Sequence, residues 1–177
     1  MPNPDSTLEG ITARRGGFLS RLASRTFVVL VLLTCIGGAT GLLGGHTSTA
    51  AETRDGYRLT LSYPGTARPG LDTFWELTVE HPGGFNGPIT IAVTGTYFDL
   101  FETQGFYPTP SDSTRDDTYV YMEFTPPPHG DTFTMMYDAY IQPYVAPTNL
   151  LAQDATVALV NHDKRVVTVD FATWMFP

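Results

Sequence analysis

Three histidines are the residues of this sequence whose chemistry could most readily support catalysis or metal binding. His81, His129 and His162 each stand beside Pro, Gly, Asn or Asp in an expected loop or strand end. Hydrolysis needs a nucleophile oriented by a base and a third group, and no serine lies in a glycine-flanked nucleophile turn. A histidine metal site would need ligands converging from separate turns. The sequence therefore predicts surface histidines, no catalytic residue and no enzyme.

A short acidic stretch offers the other candidate ligand set. Asp112, Asp116 and Asp117 could supply carboxylate oxygens to calcium. Their spacing does not follow a calcium loop with alternating acids, and Arg115 stands among them. The expectation is a solvated loop, with no metal site and no cofactor.

Aromatic side chains concentrate between Gly95 and Ser111, in a stretch with neither helical nor strand periodicity. We interpret it as an irregular crossover between strands. Exposed aromatic patches mark interaction sites, whereas buried rings would plug the end of a β-sandwich, and both alternatives stay open. We expect Phe106 and Tyr107 to be the most exposed. The candidate partner-binding residues are Tyr97, Phe98, Phe101, Phe106 and Tyr107.

The residues between Arg25 and Glu52 carry no charge. A helix rises about 1.5 Å per residue, so roughly 20 apolar residues span a hydrocarbon core of about 30 Å. The sequence predicts a transmembrane signal anchor over residues 26–46, after a cytoplasmic tail at 1–25. Basic residues on the N-terminal side favour export of the C-terminal part. These are Arg14, Arg15, Arg21 and Arg25.

Other fates of the apolar segment stay open. Ser48-Thr49-Ala50 has the small residues that a signal peptidase reads, so cleavage near Ala50 would release a secreted domain. Cys35 stands in a poor match to a lipoprotein motif, because Thr34 precedes it and the apolar run continues past it. Small residues recur at Gly37, Gly41 and Gly45, a spacing that lets helices approach closely in membranes.

Charge is distributed unevenly along the 177 residues. Residues 52–177 hold six basic residues against 16 acidic ones, a net charge of −10. Such a domain repels phosphate backbones, so nucleic-acid binding is excluded from the expected functions. The single cysteine, Cys35, lies in the apolar segment, so the C-terminal domain has no disulfide and must be held by its core.

Period-two alternation dominates the remainder. Residues 57–63, 74–80 and 132–142 alternate apolar and polar side chains between turns rich in Pro and Gly. We expect Trp75 to be buried against the strand of residues 132–142 or the final hairpin. The pattern predicts an all-β domain over residues 57–177, after a spacer at 47–56. Its expected architecture is an immunoglobulin-like antiparallel β-sandwich of about seven strands.

Four phrases carry a resemblance to known proteins. They are Leu61–Leu71, His81–Phe85, Tyr97–Phe106 and Asp138–Pro143. With them, residues 26–177 resemble uncharacterised bacterial membrane-anchored proteins that have one immunoglobulin-like domain. The resemblance implies a fold and a topology, but no activity and no binding residue.

The expected function is that of an extracytoplasmic interaction module, anchored in the cell membrane by a single pass. It would bind another envelope or membrane protein and contact the lipid bilayer through its helix. The alternative is a secreted or anchored module that binds carbohydrate or a small ligand. A sugar binder needs exposed aromatic rings beside polar groups in a concave surface. A protein binder needs an apolar patch with a polar rim.

Overall fold

The computed structural model describes residues 17–39, 45–143, 152–162 and 164–175. The chain divides into two compact units, Met1–Gly44 and Gly45–Pro177. The first unit contains the helix α1 (Phe18–Ala39). The second unit contains β-strands and one short helix.

Helix α1 has 22 residues and is therefore about 33 Å long. Among the described residues it is the one helix whose length and composition would allow it to cross a membrane. It begins eight residues before the predicted anchor and includes Arg21 and Arg25. Leu, Ala and Arg favour helices, so the helix extends into the basic segment. The predicted end at residue 46 is wrong because His46 begins a strand, and residues 40–44 lie outside the described part.

The described part of the second unit has ten strands, so its all-β class is confirmed, with more strands than the seven or so expected. The elements are β1 (His46–Arg54), β2 (Tyr57–Ala67), β3 (Asp72–Glu80), β4 (Ile89–Thr94), α2 (Gly95–Phe98), β5 (Phe101–Tyr107), β6 (Asp112–Arg115), β7 (Tyr119–Phe124), β8 (Thr132–Ile141), β9 (Ala152–Asn161) and β10 (Lys164–Met175).

The strands form one continuous mixed sheet in the order β5-β8-β3-β2-β10-β9-β4-β7-β6, with β1 paired to β2. Strand β2 connects its two halves. Residues 58–62 pair antiparallel with β3, whereas Thr66 and Ala67 pair in parallel with Trp174 and Met175 of β10. The change of partner follows Pro64 and Gly65, which interrupt the regular alternation of β2. One strand therefore belongs to both halves of the sheet.

The stretch expected as a spacer, residues 47–56, is instead most of β1 and its turn. Asp55 and Gly56 have positive φ angles of 52° and 79°, and they join β1 to β2 as a two-residue hairpin turn. The spacer interpretation was wrong because β1 is made of small polar residues without apolar alternation, so backbone pairing with β2 holds it. The Asp-Gly dipeptide was the sequence feature that could have indicated this hairpin.

Trp75 is fully buried, as predicted, and lies within an aromatic cluster. It pairs in register with Tyr137 of β8, so these two rings are neighbours in the same half of the sheet. Across the core Trp75 contacts Phe171 of β10 edge-on, with ring centroids 5.6 Å apart. Burial of such rings is the main stabilising contribution available to a domain without a disulfide.

Candidate functional site

The aromatic crossover divides into a buried part and a surface part. Tyr97 in α2 is 2% exposed and Phe101 at the start of β5 is 5% exposed. Their ring centroids lie 5.2 Å and 6.4 Å from that of Trp75. These two candidate partner-binding residues are therefore core residues. The expectation that they could lie on a binding surface is corrected. Tyr97 lies in α2 and Phe101 begins β5, and both rings pack in the core around Trp75.

Tyr97 also anchors a buried hydrogen-bond chain. Thr173 Oγ1 donates to the carbonyl of Pro64 at 2.7 Å, so the Tyr97 hydroxyl must donate to Thr173 Oγ1, 2.6 Å away. Burial raises the pKa of Tyr97 far above its usual value, and the Thr173 contact and the nearby Trp75 indole only partly offset this. The hydroxyl therefore remains protonated as a donor. The chain ties α2 to β10 and to β2 where that strand changes partner.

Phe98 and Phe106 lie half-buried against Tyr137. The Phe106 ring stacks on the Tyr137 ring at 4.6 Å, and the Phe98 ring lies 5.0 Å from it. Burial raises the pKa of Tyr137, whose hydroxyl lies 3.1 Å from Thr103 Oγ1. The expected outward turn at Phe106 is absent, because residues 101–107 form a strand and Phe106 takes the inward position. Of the five candidates, Tyr107 alone is well exposed, at 63%.

Tyr107 belongs to a patch that the sequence analysis did not identify. It pairs in register with Met136 of β8, which pairs with Glu76 of β3. In the adjacent row Phe74 pairs with Asp138, and alternation places all five side chains on the outer face of the sheet. Phe74 is 52% exposed and Met136 41%. We refer to Phe74, Tyr107 and Met136 as the edge patch, and to Glu76 and Asp138 as its acidic rim.

Gly105 allows the Tyr107 ring to lie against its own strand. A Cβ at Gly105 would stand 3.3 Å from the Cε2 atom and the hydroxyl oxygen of Tyr107, closer than ordinary van der Waals contact. The ring is thereby held over the backbone at a β-bulge between Thr103 and Gly105. A ring held in place loses little rotational freedom when a partner covers it.

The acidic stretch supports local structure. The Asp116 carboxylate accepts the backbone N–H groups of Tyr119 and Thr118 at 2.6 Å and 2.7 Å, and mainly these bonds lower its pKa. The Tyr121 hydroxyl donates to the same carboxylate at 2.9 Å, which raises the pKa of Tyr121. Asp112 begins strand β6 rather than lying in the expected loop. Within the described ranges, no three His, Cys, Asp or Glu side chains cluster as metal ligands would.

A surface ion pair fixes the end of α2. The two terminal guanidinium nitrogens of Arg115, Nη1 and Nη2, each donate to one oxygen of the Asp99 carboxylate at 2.7 Å. These hydrogen bonds lower the pKa of Asp99 and raise that of Arg115. Because both side chains are about half exposed, at 53% and 49%, the pair contributes little to stability. Its evident role is to hold the turn that follows α2 against β6.

A concave surface lies where the β1–β2 hairpin, the β3–β4 loop and the β9–β10 turn meet. This cleft has a volume of about 510 Å³. The lining includes the aromatic rings of Tyr57, Phe85 and His162 and the polar side chains of Asn86, Thr90, Glu123 and Asn161. They come from four separated segments, so no local motif could have indicated them. We refer to this site as the hairpin cleft.

No protein-family model and no curated protein matches this sequence. Among solved structures, the chain is similar to a β-glucosidase from Listeria innocua, with 13% identity and a TM-score of 0.34. That match covers 71% of this chain and 17% of the enzyme. It is also similar to the alkylpurine DNA glycosylase AlkC of Pseudomonas fluorescens, with 10% identity and a TM-score of 0.31. This match covers 63% of this chain and 28% of that one. The chain thus spans less than a third of either protein, and likeness this low carries no argument about activity.

Proposed function

We propose that this protein is a membrane-anchored, extracytoplasmic interaction module that binds another envelope or membrane protein through the edge patch. The observation that carries the proposal is the exposure of three large apolar side chains on the outer face of three neighbouring strands: Phe74, Tyr107 and Met136. Aromatic residues and methionine are enriched at the centres of protein interfaces, and polar residues surround them.

The architecture that would present this patch is an immunoglobulin-like sandwich. Its support is the partner change of β2, which divides the sheet into β1-β2-β3-β8-β5 and β2-β10-β9-β4-β7-β6. Strands that pass between packed sheets at bends are a known way to join them. The contact between Trp75 of β3 and Phe171 of β10 agrees with two apolar faces packed together.

The anchor in this proposal is α1, with the C-terminal unit outside the cytoplasm. Arg21 and Arg25 lie in the N-terminal half of the helix, and basic residues at one end of a spanning helix favour that end remaining inside. Long arginine side chains extend toward the membrane surface from such positions.

The pairing of β1 with β2 supports retention of the anchor. Cleavage after Ala50 would remove residues 46–50, which pair with β2. A Cβ at Gly65 would collide with Ser48, so the two strands are in close contact there. A cleaved chain would lose half of a paired strand, which favours the uncleaved form over the secreted one.

The acidic rim favours one kind of partner. Glu76 and Asp138 flank the edge patch, and residues 52–177 carry a net charge of −10. A second copy placed face to face would bring like charges together, and anionic lipid would be repelled as well. The complementary partner is a protein that offers an apolar surface bordered by Lys or Arg.

Co-purification from native membranes tests the proposal. The tagged full-length chain should recover an envelope protein, and recovery should fall as ionic strength rises because rim charges are screened. Tyr107→Ser and Phe74→Ser should each reduce recovery strongly, whereas Ser113→Ala on exposed strand β6 should not. Equal recovery by all four chains would contradict an interface at the edge patch.

A further inference from the structure

The hairpin cleft combines ring surfaces with hydrogen-bonding groups, and nothing in the edge-patch interaction uses it. Its floor includes a cross-strand row in which Glu123 of β7, Thr90 of β4 and Val160 of β9 pair in register. Tyr57 and Phe85 form part of the wall, together with the amides of Asn86 and Asn161. Rings beside convergent polar groups in a concavity are the features of a small-ligand site.

The ring of Tyr57 is held rigidly by a histidine behind it. His81 stacks on Tyr57 with ring centroids 4.0 Å apart and planes within 12° of parallel. His81 is itself oriented, since its Nδ1–H donates to the carbonyl of Gly56 at 3.1 Å. Tyr57 lines the hairpin cleft, whereas His81 lines a different cavity beside Arg58 and Glu80. His81 therefore covers one face of the Tyr57 ring.

The polar groups of the cleft favour a neutral, hydroxyl-rich ligand. Asn86 and Asn161 are exposed and each offers an amide with both donors and an acceptor. Glu123 supplies a carboxylate that accepts hydrogen bonds from hydroxyl groups. The same carboxylate and the net charge of −10 on residues 52–177 disfavour phosphate or carboxylate ligands.

We propose that the hairpin cleft binds a neutral saccharide, with one sugar ring stacked on Tyr57 and its hydroxyls bonded to Asn86, Asn161 and Glu123. The C–H face of a pyranose is apolar and matches a flat aromatic ring, while its equatorial hydroxyls project sideways to the polar groups. The cavity of about 510 Å³ is large enough for one or two sugar rings, within the usual range for ligand sites of roughly 300–1,000 Å³.

The test is calorimetric titration of the full-length chain in a zwitterionic detergent without a sugar headgroup. The probes are maltohexaose, cellohexaose and chitohexaose, which differ in linkage and substituents. At least one should bind. Asn86→Ala and Asn161→Ala should each weaken that binding about tenfold, because a ligand hydrogen bond is lost. Tyr57→Phe should bind as the parent chain does, whereas Tyr57→Leu should bind more weakly because the stacking surface is gone.

Tyr107→Ser serves as the matched control, since it changes an exposed ring outside the cleft and should leave saccharide binding unchanged. If Tyr57→Leu unfolds the hairpin, the two exposed asparagine variants still decide the matter. Absence of binding by all three oligosaccharides would overturn the proposal. So would binding that survives both asparagine substitutions. Because no partner protein is present, neither failure would bear on the edge patch.

Discussion

Phe106 and Tyr137 are stacked across β5 and β8, with ring centroids 4.6 Å apart and planes 20° from parallel. The next residue, Tyr107, lies on the opposite face of β5 and is 63% exposed. Strand alternation has therefore divided an adjacent aromatic pair between the core and the surface. Two neighbouring rings that look alike in the sequence have different roles.

Substitution of these two rings should separate stability from binding. Phe106→Ser should lower the free energy of unfolding by about 2 kcal/mol, less than a fully buried ring would cost, because Phe106 is only half-buried. Tyr107→Ser should change it by less than about 0.5 kcal/mol, as exposed substitutions usually do. Thermal unfolding of each full-length variant in detergent measures both changes in the free energy of unfolding. Equal destabilisation would show that Tyr107 also belongs to the core.

Trp75 and Phe74 form a second matched pair on β3. Trp75 is fully buried, and Phe74 is 52% exposed. Trp75→Ala should lower the free energy of unfolding by about 3–5 kcal/mol, out of a typical total of about 5–15 kcal/mol. Phe74→Ala should leave it nearly unchanged, so it controls for the strand position. A melting temperature that hardly moves in Trp75→Ala would contradict its central place in the core.

The buried hydrogen bonds from Tyr97 to Thr173 and from Thr173 to Pro64 predict that two variants differ in stability. Tyr97→Phe removes one buried hydrogen bond and should cost about 1 kcal/mol. Thr173→Val removes both bonds of the chain and leaves the Tyr97 hydroxyl without its acceptor, so it should cost about 2–4 kcal/mol. The double variant should be less destabilised than the sum, because its unpaired hydroxyl is gone. If the two single-variant changes in the free energy of unfolding, measured by chemical denaturation, are strictly additive in the double variant, the two residues do not share a hydrogen bond.

Membrane orientation gives a prediction about the whole chain. A reporter active only after export, fused after Pro177, should be active, and an N-terminal tag should stay attached to the membrane-bound protein because the anchor is retained. Replacing Arg14, Arg15, Arg21 and Arg25 by Gln should lower the reporter activity, since these charges set the orientation. If a different reporter, one that works only in the cytoplasm, were active when fused after Pro177, the proposed orientation would be contradicted. Loss of the N-terminal tag by cleavage would favour the secreted alternative.

Strand alternation was informative wherever one face of a strand is buried. Residues 74–80 and 132–142 predicted the inward positions of Trp75 and Tyr137 correctly, because a one-residue error in register would expose the whole apolar set. Strand β1 has no apolar face, so its pairing with β2 left no periodic trace in the sequence. Only the Asp55-Gly56 turn could have revealed it.

The candidate site was harder to predict because it depends on which strands are neighbours. The aromatic density of residues 97–107 indicated the right region, but it could not show that Tyr97 in α2 and Phe101 in β5 are both buried. Phe74 and Met136 reach the edge patch only through the register of β3 and β8 with β5. Pairings between residues about 30 apart are set by the fold as a whole and leave no local signal.

Site-specific photocrosslinking in intact cells tests the proposed interface most directly. A photoreactive phenylalanine analogue placed at Tyr107 or Phe74 should form a covalent product with the same envelope protein. The analogue at Ser113 or Glu52, two exposed strand positions outside the edge patch, should not. In the chain labelled at Tyr107, Met136→Ser should reduce the yield because it removes part of the apolar surface. If Tyr107 and Phe74 give no product, or the same products as Ser113 and Glu52, the edge patch is not the binding surface.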